Sequence, residues 1–231
     1  VGRALDVRTG KLVWKFDPIP RDPADPAHSA WKGDQAARTG AANVWSTMSF
    51  DAARDLLFLP TSSPSPDFFG GERLGDDRYA NSLVALQASS GKLVWWRQLV
   101  HHDLWDYDSP AQPLLTEIEH AGARIPAVIQ TTKTGLVFTF NRETGEPIFP
   151  IVERAVPKTD VVGEESWPTQ PFPSAPPPLV RQGPVTEKDA WGVTPFDRGA
   201  CKDLIRNYRS EGIFTPPGLK GTIMQPQLRD P

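Results

Sequence analysis

Between residues 101 and 108 the chain reads His-His-Asp-Leu-Trp-Asp-Tyr-Asp. Three carboxylates and two imidazoles in eight residues cannot enter an apolar core without partners. Three readings stay open. The run is a solvated or self-satisfied turn whose aspartates cap backbone N–H groups. It is a metal site, since His and Asp are ligand types, although adjacent His101 and His102 would point to opposite faces of a strand. Or one carboxylate is a general base placed by its neighbours. Lys133, in Gln130-Thr131-Thr132-Lys133-Thr134-Gly135, is either a surface lysine or a cation beside an oxygen that gains charge during reaction. Trp45, in Ala42-Asn43-Val44-Trp45-Ser46, is either a core residue or a flat platform for a planar ligand.

The elements that must position these clusters show in a repeated phrase. Ala4-Leu5-Asp6-Val7-Arg8-Thr9-Gly10-Lys11-Leu12-Val13-Trp14 matches Ala85-Leu86-Gln87-Ala88-Ser89-Ser90-Gly91-Lys92-Leu93-Val94-Trp95. Phe140-Asn141-Arg142-Glu143-Thr144-Gly145-Glu146-Pro147-Ile148-Phe149 is a weaker copy. Each reads as strand, tight turn and strand, with Gly at the position that needs positive φ. Both Trp14 and Trp95 are expected to be buried between neighbouring units. Further strands are predicted at 55–59, 82–86, 127–130 and 135–140, short and apolar or alternating, most with Pro, Gly or Asp at an end. No helical period runs beyond about ten residues, the best candidate being Asp203–Tyr208. Repeated hairpins with Gly and Trp signatures point to an all-β propeller of about four blades, whether a small ring or part of a larger one. The expected organisation is a single partial domain over 1–231, with a Pro-rich crossing loop at 158–190, densest from Pro168 to Pro184.

Composition narrows the function. Lys plus Arg is 25 and Asp plus Glu 28, a net charge of −3, which excludes a basic nucleic-acid footprint. Hydrophobic residues are 39%, with eight Trp and eleven Phe, enough for a packed core. No apolar run is long enough to cross a membrane as a helix. The one cysteine, Cys201, excludes an internal disulfide and a multi-Cys zinc site, and is expected as a small buried hydrophobe. The chain opens at Val1 without a signal peptide and enters a strand-like segment at once, as a fragment or a processed chain would.

Taken together, these features resemble the quinoprotein dehydrogenases that use pyrroloquinoline quinone (PQQ). The Ala-x-Asp-x-x-Thr-Gly-Lys-x-x-Trp phrase looks like that family's tryptophan-docking repeat. His101–Pro113, Thr132–Gly135, Pro168–Phe172 and Glu211–Pro217 are similar to stretches of its membrane glucose dehydrogenase branch, in family order. The resemblance implies about half of an eight-bladed propeller. It implies Asp106 as the catalytic base and Lys133 as the cation on the quinone oxygens. It also implies Trp45 as one wall of the cofactor slot, with Asn43 beside it. In this chemistry a carboxylate takes the alcohol proton while hydride passes to the quinone.

Departures from the family pattern are specific. Ser63 stands where many relatives place an Asn ligand to a calcium or magnesium ion, and a hydroxyl is a poorer ligand for a hard cation. Asp106 is the other implied ligand. The vicinal cysteines of the methanol dehydrogenase branch, a Cys-x-x-Cys-His haem site and the family's Asn-Trp cofactor contact are all absent. The implied reaction is PQQ-dependent oxidation of a sugar or alcohol hydroxyl. Electrons would then go to a respiratory acceptor, a quinone or a cytochrome, in the periplasm. The alternative is a non-catalytic propeller scaffold for protein binding, which would keep the docking hairpins without the His-His-Asp-x-Trp-Asp run and Lys133.

Overall fold

The computed structural model describes residues 1–225; residues 226–231 of the expected domain lie outside the described residues. Four antiparallel sheets follow one another along the chain. The first pairs β1 (Gly2–Leu5) with β2 (Leu12–Phe16). The second orders β3 (Ser49–Asp51), β4 (Leu56–Pro60), β5 (Ser82–Gln87) and β6 (Leu93–Gln98). The third orders β7 (Leu114–His120), β8 (Ala123–Thr131) and β9 (Val137–Asn141), and the fourth pairs β10 (Ile151–Ala155) with β11 (Thr169–Pro173). This is a partial propeller of four blades, only the second having four strands.

The repeat dictates the join between blades. Ala4 faces Trp14 and Ala85 faces Trp95 across their hairpins, each with a register shift one residue further on. Trp14 reaches the next blade, donating from Nε1 to Ala88 O at 2.8 Å. Trp95 repeats the step, donating to Arg142 O at 3.0 Å. Trp95 is 6% exposed, as expected, but Trp14, which packs on Leu59, Val84 and Leu86, is only half-buried. The third phrase does not close a hairpin. Its turn forms, with Gly145 N–H donating to Asn141 O, but Pro147 has no N–H and only a single Phe140–Pro147 bridge follows.

The second blade is covered on both faces. Phe58, Leu83 and Ala85 pack with Trp95, Phe138 and Phe140 on the side of the third blade. Leu59, Val84 and Leu86 pack with Trp14 and Phe16 on the side of the first. The period of two thus splits one strand between two cores.

Three expectations fail locally. Within 158–190, Thr169–Pro173 is a packed strand rather than a crossing loop. Ser174 N–H donates to Pro150 O, and Phe172 and Gln170 face Val152 and Arg154 two and four residues along, so the even positions serve the ladder and Pro171 and Pro173 lose nothing from it. A helix longer than predicted, α1 (Pro195–Asn207), takes in all but the last residue of the Asp203–Tyr208 candidate. It fully buries none of its residues, although Phe196, Ala200, Cys201, Leu204 and Ile205 recur at helical spacing and Cys201 and Ile205 are half-buried; a Thr194–Asp197 capping box and Pro195 set its start. Cys201, on this helix, is half-buried rather than in the core.

Strand alternation fixes where the loops go. In the second blade the entry to β3, the β4–β5 connection and the exit from β6 share one end. The entries to β3 and β7 meet there, Ser49 Oγ donating to Pro113 O at 2.5 Å. That end therefore carries the long segments 17–48, 61–81 and 99–113, together with 132–136. The opposite end of the second blade carries the short turns 52–55 and 88–92.

Candidate functional site

The 99–113 segment is built around one fully buried carboxylate. Asp103 accepts the Trp105 N–H at 2.8 Å through Oδ1 and the Tyr107 N–H at 2.7 Å through Oδ2. Its Oδ2 also accepts from Ser63 Oγ and, at 2.8 Å, from Asn81 Nδ2. Burial pushes the Asp103 carboxyl above the ordinary aspartate value, against the lowering by these hydrogen bonds. The capped turn throws alternate residues to opposite sides. Trp105 and Tyr107 go inward, stacked with ring centroids 5.6 Å apart. Trp105 Nε1 donates to Thr215 O at 2.6 Å and the Tyr107 hydroxyl to Ile213 O at 2.6 Å. The Glu211–Pro217 stretch is thus the inner support of the loop.

Asp106 and Asp108 go to the other side, where Lys133 meets them. Asp106 takes a left-handed φ of 60°, rare for a non-glycine residue. Lys133 Nζ donates to Asp106 O at 2.8 Å, to Asp106 Oδ2 at 3.2 Å and to Asp108 Oδ2 at 3.2 Å. Asp108 Oδ1 accepts the Ser63 N–H at 2.7 Å, so one carboxylate joins Lys133 to the β4–β5 connection. Burial acts to lower the Lys133 pKa, but Asp108 and Asp106 outweigh it and hold the ammonium above the ordinary lysine value. The Asp106 carboxyl is pushed up, first by burial and then by the Asp108 charge, with Lys133 opposing. Lys133 is aimed by a tight turn: Gly135 N–H donates to Thr132 O at 3.0 Å at a φ of 72°, and a Cβ there would collide with Val180.

The other expected site residues stand on the same end but apart from this pair. Trp45 is 56% exposed, its indole open to solvent rather than in a core. Among the described residues no hydrogen bond or ring contact joins it to Asp106 or Lys133. Asn43 is tied to the β4–β5 connection, its Oδ1 accepting from Ser62 Oγ at 2.9 Å and its carbonyl accepting Ser62 N–H at 2.9 Å. Ser63 is buried, and its hydroxyl donates to Asp103 while accepting from Asn81 Nδ2 at 3.0 Å. The adjacent histidines diverge. His101 Nε2 lies 3.1 Å from Glu153 Oε1, whereas His102 is buried with Nδ1 3.3 Å from Asp77 Oδ2. No group of three metal-ligating side chains forms among the described residues.

Sequence reasoning missed the residue that holds this end together. Arg73, fully buried, donates to Asp77 Oδ2 at 2.7 Å, Pro66 O at 3.0 Å, Asp67 O at 3.2 Å and Asp103 O. One guanidinium thus binds the β4–β5 connection to the Asp103 turn. Asn81 does the same from the other side, also donating to Tyr107 O at 3.1 Å. Only the Arg73–Asp77 spacing of four residues was available as a signal.

Comparison with known proteins agrees with this architecture. Residues 1–229 match the family described as glucose/ethanol/alcohol dehydrogenase, beta-propeller domain. The chain is 40% identical over 226 residues to quinoprotein glucose dehydrogenase of Escherichia coli (strain K12), covering 97% of this chain and 28% of that protein. It is 38% identical over 226 residues to quinate/shikimate dehydrogenase (quinone) of Acinetobacter baylyi (strain ATCC 33305 / BD413 / ADP1), covering 97% and 27%. The chain therefore spans less than a third of the length of these relatives. Quinohemoprotein alcohol dehydrogenase from Comamonas testosteroni shares the fold, with a TM-score of 0.58 and 28% identity over 75% of this chain and 27% of that one. With docking tryptophans, blade order and sequence in agreement, the chain belongs to the PQQ-type glucose/ethanol/alcohol dehydrogenase β-propeller family.

Proposed function

We propose that this chain is the part of a PQQ-dependent dehydrogenase that supplies the base and the cofactor-polarising cation for oxidising a sugar or alcohol hydroxyl. The observation that carries this reading is the Asp106–Lys133–Asp108 constellation on the long-loop end. The residues suit a planar anionic quinone: an ammonium half-open to solvent and an indole face open on the same end. When bound, the cofactor would supply hydride acceptance. The chain's own task is to hold Lys133 where negative charge develops and to take the hydroxyl proton at Asp106 Oδ. Asp108 keeps Lys133 in place, and the Asp103 turn holds Asp106 out of the core.

A divalent cation, calcium or magnesium, would find hard oxygens in Asp106 and Asp108. Ser63 would have to release Asp103 to join them, so the donors present form only part of a coordination sphere. Electrons would pass on to a respiratory quinone or cytochrome in the periplasm, as the family resemblance implies. The whole organisation is read as one partial domain.

The test is dye reduction by the full-length protein loaded with PQQ and calcium or magnesium. Glucose-, quinate- or alcohol-dependent turnover is the expected result. Tight cofactor binding with no turnover of any hydroxyl substrate would overturn the reading in favour of a binding scaffold.

A further inference from the structure

A polar cavity of about 670 Å³ lies on the long-loop end, between the 17–48 segment and the β4–β5 connection. One wall is Gln35, Arg38 and Gly40–Ala41; the other is Ser65–Pro66 and Glu72. Its size is that of small-molecule sites, roughly 300–1,000 Å³. The two walls are stitched together beside the Asp106 site. Ala42 N–H donates to Ser63 O at 2.9 Å and Ser65 N–H to Gly40 O at 3.1 Å. Ser63 in turn donates its N–H to Asp108. Ser65 of the cavity wall thus stands two residues from Ser63, whose N–H is bound by the Asp108 that also holds Lys133.

The lining is unusual in three respects. Ala41 and Ala42 are consecutive non-glycine residues in the left-handed region, with φ of 58° and 48°, so strain is held at the seam between cavity and site. Gln35 Oε1 is buried without a hydrogen-bond partner. An unmade bond of this kind is costly, and rotation of the amide into the cavity toward a ligand hydroxyl would relieve it. Finally, each wall carries one charged side chain, Glu72 on one and on the other Arg38, which also donates to Asp34 Oδ1 at 2.6 Å. Asp34 offsets Arg38, so the lining carries the uncompensated charge of Glu72 while the guanidinium, the amide and the Ser65 hydroxyl still offer donors and acceptors. A neutral polyhydroxylated ligand meets both kinds of group, whereas a carboxylate would face Glu72 and an alkyl chain would strand them all.

We propose that this cavity is a subsite for the part of a neutral polyhydroxylated substrate remote from the reacting carbon. Gln35 and Glu72 accept from its hydroxyls and Arg38 donates to them. The inference rests on the proposed dehydrogenase reading and assigns its specificity to the 35–41 and 65–72 walls.

The experiment compares full-length parent with Gln35→Ala, Arg38→Ala and Glu72→Gln, using glucose and propan-1-ol as paired substrates. The expected result is a KM for glucose raised about tenfold, as loss of a matched polar contact gives, with kcat kept and propan-1-ol kinetics within about twofold of parent. An unchanged glucose KM, or an equal rise for both substrates, overturns the subsite while parent turnover still upholds the dehydrogenase reading. Saturation-transfer NMR of glucose on the same proteins reads binding without turnover. If the parent oxidises nothing, the dehydrogenase reading falls and the NMR comparison alone decides the subsite: signal lost in Gln35→Ala and Glu72→Gln upholds it, and signal equal to parent or absent throughout overturns it. Glu72→Gln alters an exposed side chain and keeps the test valid if a Gln35 variant misfolds.

Discussion

The Trp95 indole covers Gly145: a Cβ built on that glycine would lie 2.6 Å from the ring. One blade earlier Trp14 covers Gly91 at 2.5 Å in the same way. The glycine is needed twice over, for the close approach and for its left-handed φ of 69° or 71°. Each contact ties the last strand of one blade to the turn of the next, so the repeated phrase encodes the join between blades as well as the hairpin.

Removing that join should cost stability in a graded way. Trp95→Ala empties a buried site and should cost about 3–5 kcal/mol. Trp14→Ala should cost clearly less, because Trp14 is half-exposed. Gly145→Ala forces a left-handed alanine, about 1–2 kcal/mol by itself, and pushes the indole away. Denaturant midpoints of the three variants measure this. A Trp14 loss equal to that of Trp95, or a neutral Gly145→Ala, would contradict it.

Arg73 should prove structural and positional at once. Arg73→Met leaves the buried Asp77 carboxylate and three carbonyls without a donor, and breaking such a buried pair costs about 3–5 kcal/mol. Arg73→Lys keeps a charge for Asp77, but a compact ammonium cannot span all four acceptors, so its loss should be intermediate. Thermal unfolding ranks the two. Parent-like stability in Arg73→Met would mean the clamp holds nothing.

Tyr107 gives the fold an alkaline limit. Burial, helped by the Asp103 charge, holds its phenol well above the ordinary tyrosine value of 10.0. Above about pH 10 the unfolded chain releases this proton while the folded protein keeps it. The folded state then binds more protons, so stability is level below that pH and falls above it, by up to about 1.4 kcal/mol per pH unit. Tyr107→Phe should flatten this alkaline fall. At neutral pH it should cost about 1–3 kcal/mol, since Ile213 O and Gln225 O lose their donor. Unfolding free energies of parent and variant from pH 8 to 11 test it; parallel curves above pH 10 would show that the phenol is not responsible.

What could be read beforehand follows from how local each signal is. The docking hairpins were legible because a Gly with positive φ and a Trp four residues later lie in one short phrase. The strand at 169–173 was hidden because its prolines suggest a break, and only pairing with β10 shows that their sides face away from the ladder. Helix α1 was legible only at its C-terminal end, because its first turns, with Pro195, Gly199 and the charged Asp197, Arg198 and Lys202, read as a loop. Within the site, spacing alone left Asp106 among several equal carboxylates; the family resemblance singled it out, and the structure adds its contact with Lys133. Arg73 and Asn81 act mostly on backbone carbonyls and on residues 18 or more positions away, which leaves no pattern in the sequence.

The roles within the Asp106–Lys133–Asp108 group separate by what each variant leaves behind. Asp106→Asn keeps the shape and an oxygen for Lys133 but removes the proton acceptor. Cofactor binding should survive while turnover falls by about 10²–10⁴. Lys133→Ala should weaken both, because its ammonium would contact the quinone before and during reaction. Asp108 touches Lys133 at 3.2 Å, as Asp106 does, and also holds the Ser63 N–H. Asp108→Asn should therefore loosen cofactor binding more than Asp106→Asn, yet lose less turnover at saturating PQQ. Asp103→Asn differs from all three: it strips a buried four-donor acceptor and should show first as lost stability. The measurement is steady-state dye reduction under a PQQ titration for the four full-length variants, with unfolding midpoints alongside. If a folded Asp103→Asn abolishes turnover while Asp106→Asn stays near the parent, the base is Asp103, and Asp106 serves only to seat Lys133.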